Sequence, residues 1–152
     1  MDKLEYIPRD LVSVYVGIKK YIVEVIGTEN ENEVLSYQIK FPNGQIQYAD
    51  KDNIVPIPLT TEILEKNGWN KSIGWSYVGC GKRGYQFSKE LDDKWDELDR
   101  MTYGDLQICQ CENLRDWSYI NECNHYFRFE FTYVHELQHL LYALHIDSNL
   151  KI

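Results

Sequence analysis

Val34-Leu35-Ser36-Tyr37-Gln38-Ile39-Lys40-Phe41 and Gln45-Ile46-Gln47-Tyr48-Ala49 are strand-length runs joined by Pro42-Asn43-Gly44. Asn-Gly tolerates positive φ, so this junction predicts a tight hairpin between alternating strands. Period-2 alternation then puts Ile46 and Tyr48 on one face of the returning strand. Upstream, Leu11 to Val16 is apolar and β-branched, and Lys20 to Ile26 repeats that character. Thr28 to Glu33 is polar and acidic and reads as a loop tip. Short strands joined by tight turns predict a small antiparallel unit over residues 1–58, barrel-like in the manner of an SH3 domain.

Ile57-Pro58-Leu59 reads as a junction, and the pattern changes after it. Thr60 is a good N-cap for a helix from Thr61 to Asn67, with Gly68 suited to the C′ position. Trp75 to Gly79 and Gly84 to Ser88 are aromatic strand candidates. Lys89 to Arg100 places Leu91, Trp95 and Leu98 at helical spacing. Asp105 to Glu112 and His125 to Phe131 alternate again, with Phe127, Phe129 and Phe131 on one face. A final amphipathic helix, capped by Thr132, is expected from Tyr133 to about His145. Its stripe of Val134, Leu137, Leu140, Leu141 and Leu144 should pack on a sheet containing Phe127 and Phe129. The fold class is α+β: a β unit over 1–58, then an α+β unit over 59–152 closed by this helix.

Composition narrows the function classes. The chain has 152 residues, of which 43% are hydrophobic, enough for a packed core. No apolar run approaches the roughly 18 residues that a membrane span needs. Met1-Asp2-Lys3-Leu4-Glu5 lacks the basic and apolar regions of a secretory leader, so a cytoplasmic protein is expected. The net charge of −8 repels phosphate backbones, so nucleic acid is a poor partner. Such acidity suits either plain solubility or imitation of nucleic acid, and solubility is the simpler account. Cys80, Cys109, Cys111 and Cys123 are expected as reduced thiols. Trp69, Trp75 and Tyr77 crowd a Gly-rich stretch, as a ligand platform or, more simply, as core filling.

The last helix holds His135-Glu136-Leu137-Gln138-His139, an H-E-x-x-H pattern. Imidazoles at i and i+4 share a helix face and can share a zinc ion, with the glutamate between them as base for its water. His145 falls where extended versions of the pattern place a third histidine. Those versions need a glycine to break the helix, and Tyr142 stands there. In a continuous helix, His145 points well away from the other two. His135 and His139 also lie nearly opposite the leucine stripe, as solvated polar residues do. A fainter metal reading pairs Cys109 and Cys111 with Cys123 and His125, each pair at i, i+2 on a strand. Zinc sites usually space cysteines more widely, so that a turn wraps the ion.

Three segments together carry a resemblance: Asp10-Leu11-Val12; Pro56-Ile57-Pro58-Leu59-Thr60 with Glu62-Ile63-Leu64 and Asn67-Gly68-Trp69; and Tyr133 to His139. The chain resembles a group of small proteins of anaerobic gut bacteria and their phages and mobile elements. The resemblance assigns Tyr133, His135, Leu137 and Gln138 to the group's terminal pattern and leaves Glu136 outside it. The group brings no activity with it. The expectation is therefore a noncatalytic accessory or interaction protein with a protein partner, no cofactor and no catalytic residue. The alternative is a zinc-dependent hydrolase using His135, His139 and Glu136.

Overall fold

The computed structural model describes residues 6–31, 34–72, 76–78, 82–90, 105–111, 115–120 and 130–152. They form an α+β protein dominated by antiparallel sheet, divided into two compact units. The first comprises Met1–Pro58 and Tyr133–Leu150; the second comprises Leu59–Thr132 and Lys151–Ile152.

The first unit contains strands β1 (Leu11–Val16), β2 (Lys19–Glu31), β3 (Val34–Lys40), β4 (Ile46–Asp50) and β5 (Ile54–Pro56). The order is β4-β3-β2-β1-β5, so β4 and β5 stand at the ends and no sheet closes among the described residues. The Asn43-Gly44 turn forms as its sequence predicts: Gly44 sits at φ 86°, and the Asn43 side chain accepts the Gln45 N–H at 3.0 Å. Val12, Val23, Val25, Tyr37 and Ile39 are buried together on one face, with Tyr6 laid across them. Ile46 and Tyr48 are exposed.

Thr28 to Glu31 departs from expectation. This polar stretch is not a loop tip but the end of β2, where Thr28 pairs with Tyr37 and Glu31 with Val34. A bulge between Val25 and Gly27 bends the strand there.

Helix α2 spans Val134–Ala143 and belongs to this first unit, although the sequence suggests it with residues 59–132. It is tied there by a bridge between Pro58 and Tyr133 and by the Val134 N–H, which donates to the Ile57 carbonyl at 2.9 Å. It packs on β1. Leu137 and Leu141 are fully buried, whereas Leu144 is half-buried. Phe127 and Phe129 lie outside the described residues. The helix starts one residue later than expected, with Tyr133 rather than Thr132 at the N-cap because the Thr132 hydroxyl donates to Asp116, and it ends two residues before expectation. His145 takes φ 57°, and the N–H groups of His145 and Ile146 close onto the carbonyls of Tyr142 and Leu141. This is a Schellman termination with histidine in the place glycine usually takes.

The second unit holds α1 (Thr61–Lys66) and strands β6 (Asn70–Lys71), β7 (Ser76–Val78), β8 (Lys82–Glu90), β9 (Asp105–Cys111), β10 (Trp117–Ile120) and β11 (Glu130–Phe131). Their order is β11-β10-β9-β8-β6, with β7 also on β8. Helix α1 starts as read, with Thr60 Oγ1 accepting the Ile63 N–H, and stops at Gly68, φ 78°. Phe87 and Trp117 meet edge to face at 5.7 Å in its core, and the Trp117 indole donates to the Leu59 carbonyl. Trp69 is buried, so it fills core rather than a surface platform. The helix expected from Lys89 to Arg100 does not begin there, since Lys89 and Glu90 pair with Leu106 and Asp105 as the end of β8; Trp75 and residues 91–100 lie outside the described residues.

Candidate functional site

The H-E-x-x-H segment faces the chain just before β1, and each of its polar side chains has a role that can be read from geometry. Glu136 occupies the third position of α2, where Oε2 accepts the Tyr133 N–H at 3.0 Å. This is the helix-start half of a capping box, which answers an otherwise unpaired backbone donor. Gln138 is buried: Oε1 accepts the Leu11 N–H at 2.9 Å, and Nε2 donates to the carbonyls of Arg9 at 2.9 Å and Ser148 at 3.1 Å.

His139 is 30% exposed, and its Nε2 lies 2.9 Å from Oδ1 and 2.8 Å from Oδ2 of Asp10. Asp10 itself is 2% exposed, and its Oδ2 also accepts the Ile7 N–H at 2.8 Å. A buried carboxylate needs such partners to offset its lost hydration. Sequence reasoning missed Asp10, since nothing local marks a contact 129 residues away. A signal did exist: Asp10-Leu11-Val12 and Tyr133–His139 are the first and last segments of the resemblance, and the structure joins them.

Of a histidine pair expected to be solvated or hydrogen-bonded, His139 is hydrogen-bonded and partly exposed, whereas His135 is not solvated. It is 4% exposed, stacked on Tyr133 at 5.9 Å and edge-on to Tyr6 at 4.9 Å. Its ring meets that of His139 at 5.7 Å, close to perpendicular at 77°. Position opposite the leucine stripe does not mean solvent here, because the helix buries residues on both sides.

Among the described residues, no third ligand joins His135 and His139. A typical hydrolytic site uses three protein ligands and a free carboxylate for the water. Here Oε2 of Glu136 is engaged by the backbone, while the Asp10 bond takes only Nε2 of His139 and leaves Nδ1, so it weighs neither for nor against a metal. Among the described residues, no group of three or more His, Cys, Asp and Glu side chains is placed to hold a metal ion. His145 is exposed at the helix end. Cys109 is buried in β9, where desolvation pushes its thiol up to about 11. Cys111 lies two residues on in the same strand. Cys123 and His125 fall outside the described residues.

A cleft of about 450 Å³ opens beside the Asp10–His139 pair, lined by Ile7, Pro8, Arg9, Asp10, Gln138, His139, Tyr142 and Ser148. All of these belong to the first unit. No described helix is long and apolar enough to cross a membrane. Comparison of the chain with protein-family models, with curated proteins and with solved structures gives no match.

Proposed function

We propose that this chain is a noncatalytic interaction protein that acts on a protein partner in the cytoplasm, encoded by a phage or mobile element of gut bacteria. The observation that supports this reading is the engagement of Glu136. The carboxylate a hydrolase would aim at water accepts the Tyr133 N–H, and among the described residues no third ligand joins His135 and His139. The H-E-x-x-H residues then serve as a cap and a clamp that hold α2 against the segment before β1. A kinship of residues 1–58 with SH3-like modules is part of the same proposal, since small β units of that kind commonly present loops and edges to partners.

The test compares wild type with Glu136→Gln, both purified without a metal-affinity tag. Glutamine keeps an acceptor for the Tyr133 N–H, so a stability loss below about 1 kcal/mol is expected. Zinc should stay at background in both proteins. Chelator-sensitive cleavage of a peptide library by wild type, abolished by Glu136→Gln without unfolding, would overturn this reading in favour of a minimal zinc hydrolase.

A further inference from the structure

We infer that the cleft beside Asp10 and His139 is a binding site for a small organic anion, with a carboxylate or phosphate group on an apolar body. Its size is that of ordinary small-molecule sites, and it brings buried polar groups to an apolar wall. Arg9 carries the argument. Its backbone sits at φ 84°, a left-handed conformation unfavourable for any residue with a Cβ. The bonds that hold it there use main-chain atoms alone: its N–H donates to the Val25 carbonyl at 2.7 Å, and its carbonyl accepts from Gln138. Glycine would make the same bonds without strain. The arginine side chain is therefore not explained by the turn it occupies.

That side chain is exposed at the cleft, and its guanidinium forms no hydrogen bond or ion pair among the described residues. Guanidinium groups hold carboxylates and phosphates through paired N–H donors. The other cleft residues complete the recognition. Tyr142, 66% exposed, offers a ring face to the ligand body. With Nε2 of His139 taken by Asp10, Nδ1 is the ring nitrogen left for a hydrogen-bonding substituent. The negative charge of Asp10 is turned toward His139 and the Ile7 N–H. Asp147, next to Ser148 in the chain, accepts the Asn149 N–H.

The inference rests on the proposed function in one respect, that the site binds its ligand without converting it. The experiment is a titration of the full ¹⁵N-labelled chain with phenyl phosphate, with phenylacetate and with neutral phenylacetamide, followed by amide resonances. At least one anion should shift Arg9, Asp10, His139 and Tyr142 and bind about tenfold more tightly than the amide. The better anion identifies the headgroup. Arg9→Gln should weaken that binding about tenfold while the folded spectrum persists, and Tyr142→Ala, at an exposed helix position, should weaken it several-fold. The proposal is overturned if neither anion shifts these residues at millimolar concentration, if phenylacetamide binds as well, or if both variants bind unchanged. Release of phenol from phenyl phosphate would instead overturn the noncatalytic reading and leave the binding site standing.

Discussion

Asp10 and His139 stand 129 residues apart in the chain, and Nε2 of His139 lies 2.8 Å from Oδ2 of Asp10. This pair fastens the last helix to the segment just before the first strand of the same unit. Because Asp10 is buried and also accepts the Ile7 N–H, Asp10→Ala should cost about 2–3 kcal/mol, leaving two donors without their acceptor. His139→Ala, at a partly exposed ring, should cost about 1–2 kcal/mol. A double-mutant cycle in urea should then return a coupling of about 1 kcal/mol or more. A coupling indistinguishable from zero would show that the pair is a bystander.

Gln138 makes a second, independent fastening. Its amide answers three backbone groups, those of Arg9, Leu11 and Ser148, from a buried position. Gln138→Ala leaves one donor and two acceptors unanswered and should cost about 2–4 kcal/mol in chemical denaturation. The loss should add to that of Asp10→Ala only in part, since both act on the same short segment. A loss below about 0.5 kcal/mol would mean that water replaces the amide and that the fastening is weak.

What could be read from sequence is what local chemistry decides. Asn43-Gly44, Thr60 and Gly68 each fix a turn or a cap by conformational preference alone, and each stands where expected. The end of β2 was hidden, because its residues are polar and only pairing with Val34 to Tyr37 makes them a strand. His135 was misplaced because a helical wheel shows one stripe, whereas Tyr6 covers the other side of this helix. The site was half legible. His135, Glu136 and His139 stood out through their spacing, but the same residue types at that spacing serve a cap and a clamp as readily as a metal. Asp10, the partner that makes His139 a clamp, lies at the other end of the chain.

Cys109 supplies a pH prediction whose sign can be worked out. Burial pushes its thiol from the ordinary 9.0 to about 11, so the folded state favours the neutral form. Between those values the unfolded chain gives up its proton first. The unfolded state is then relatively stabilised, and the contribution of this thiol is lost as pH rises from about 9 toward 11. Wild type should therefore lose more stability than Cys109→Ala between pH 8 and roughly 10.5, measured by urea denaturation at each pH. In peptide mapping at pH 8, native Cys109 should be alkylated about a hundredfold more slowly than in the denatured chain. Equal rates would place the thiol in solvent.

The last prediction concerns His145, where an extended zinc pattern would set its third ligand. Tyr142 does not prevent the helix from ending, because the Schellman bonds to Tyr142 and Leu141 break it one turn after His139. His145 occupies the left-handed C′ position and is exposed. A Cβ in that conformation costs about 1–2 kcal/mol, which glycine avoids while giving back part through the freedom of the unfolded chain. His145→Gly should therefore raise stability by about 0.5–1 kcal/mol, read as a higher urea midpoint with unchanged slope. A ligand histidine would behave in the opposite way. Its removal would lower zinc content and abolish any chelator sensitivity of the melting temperature. If wild type melts lower in chelator and His145→Gly does not, the histidine is held for a metal, and the termination is only the means of bringing it round.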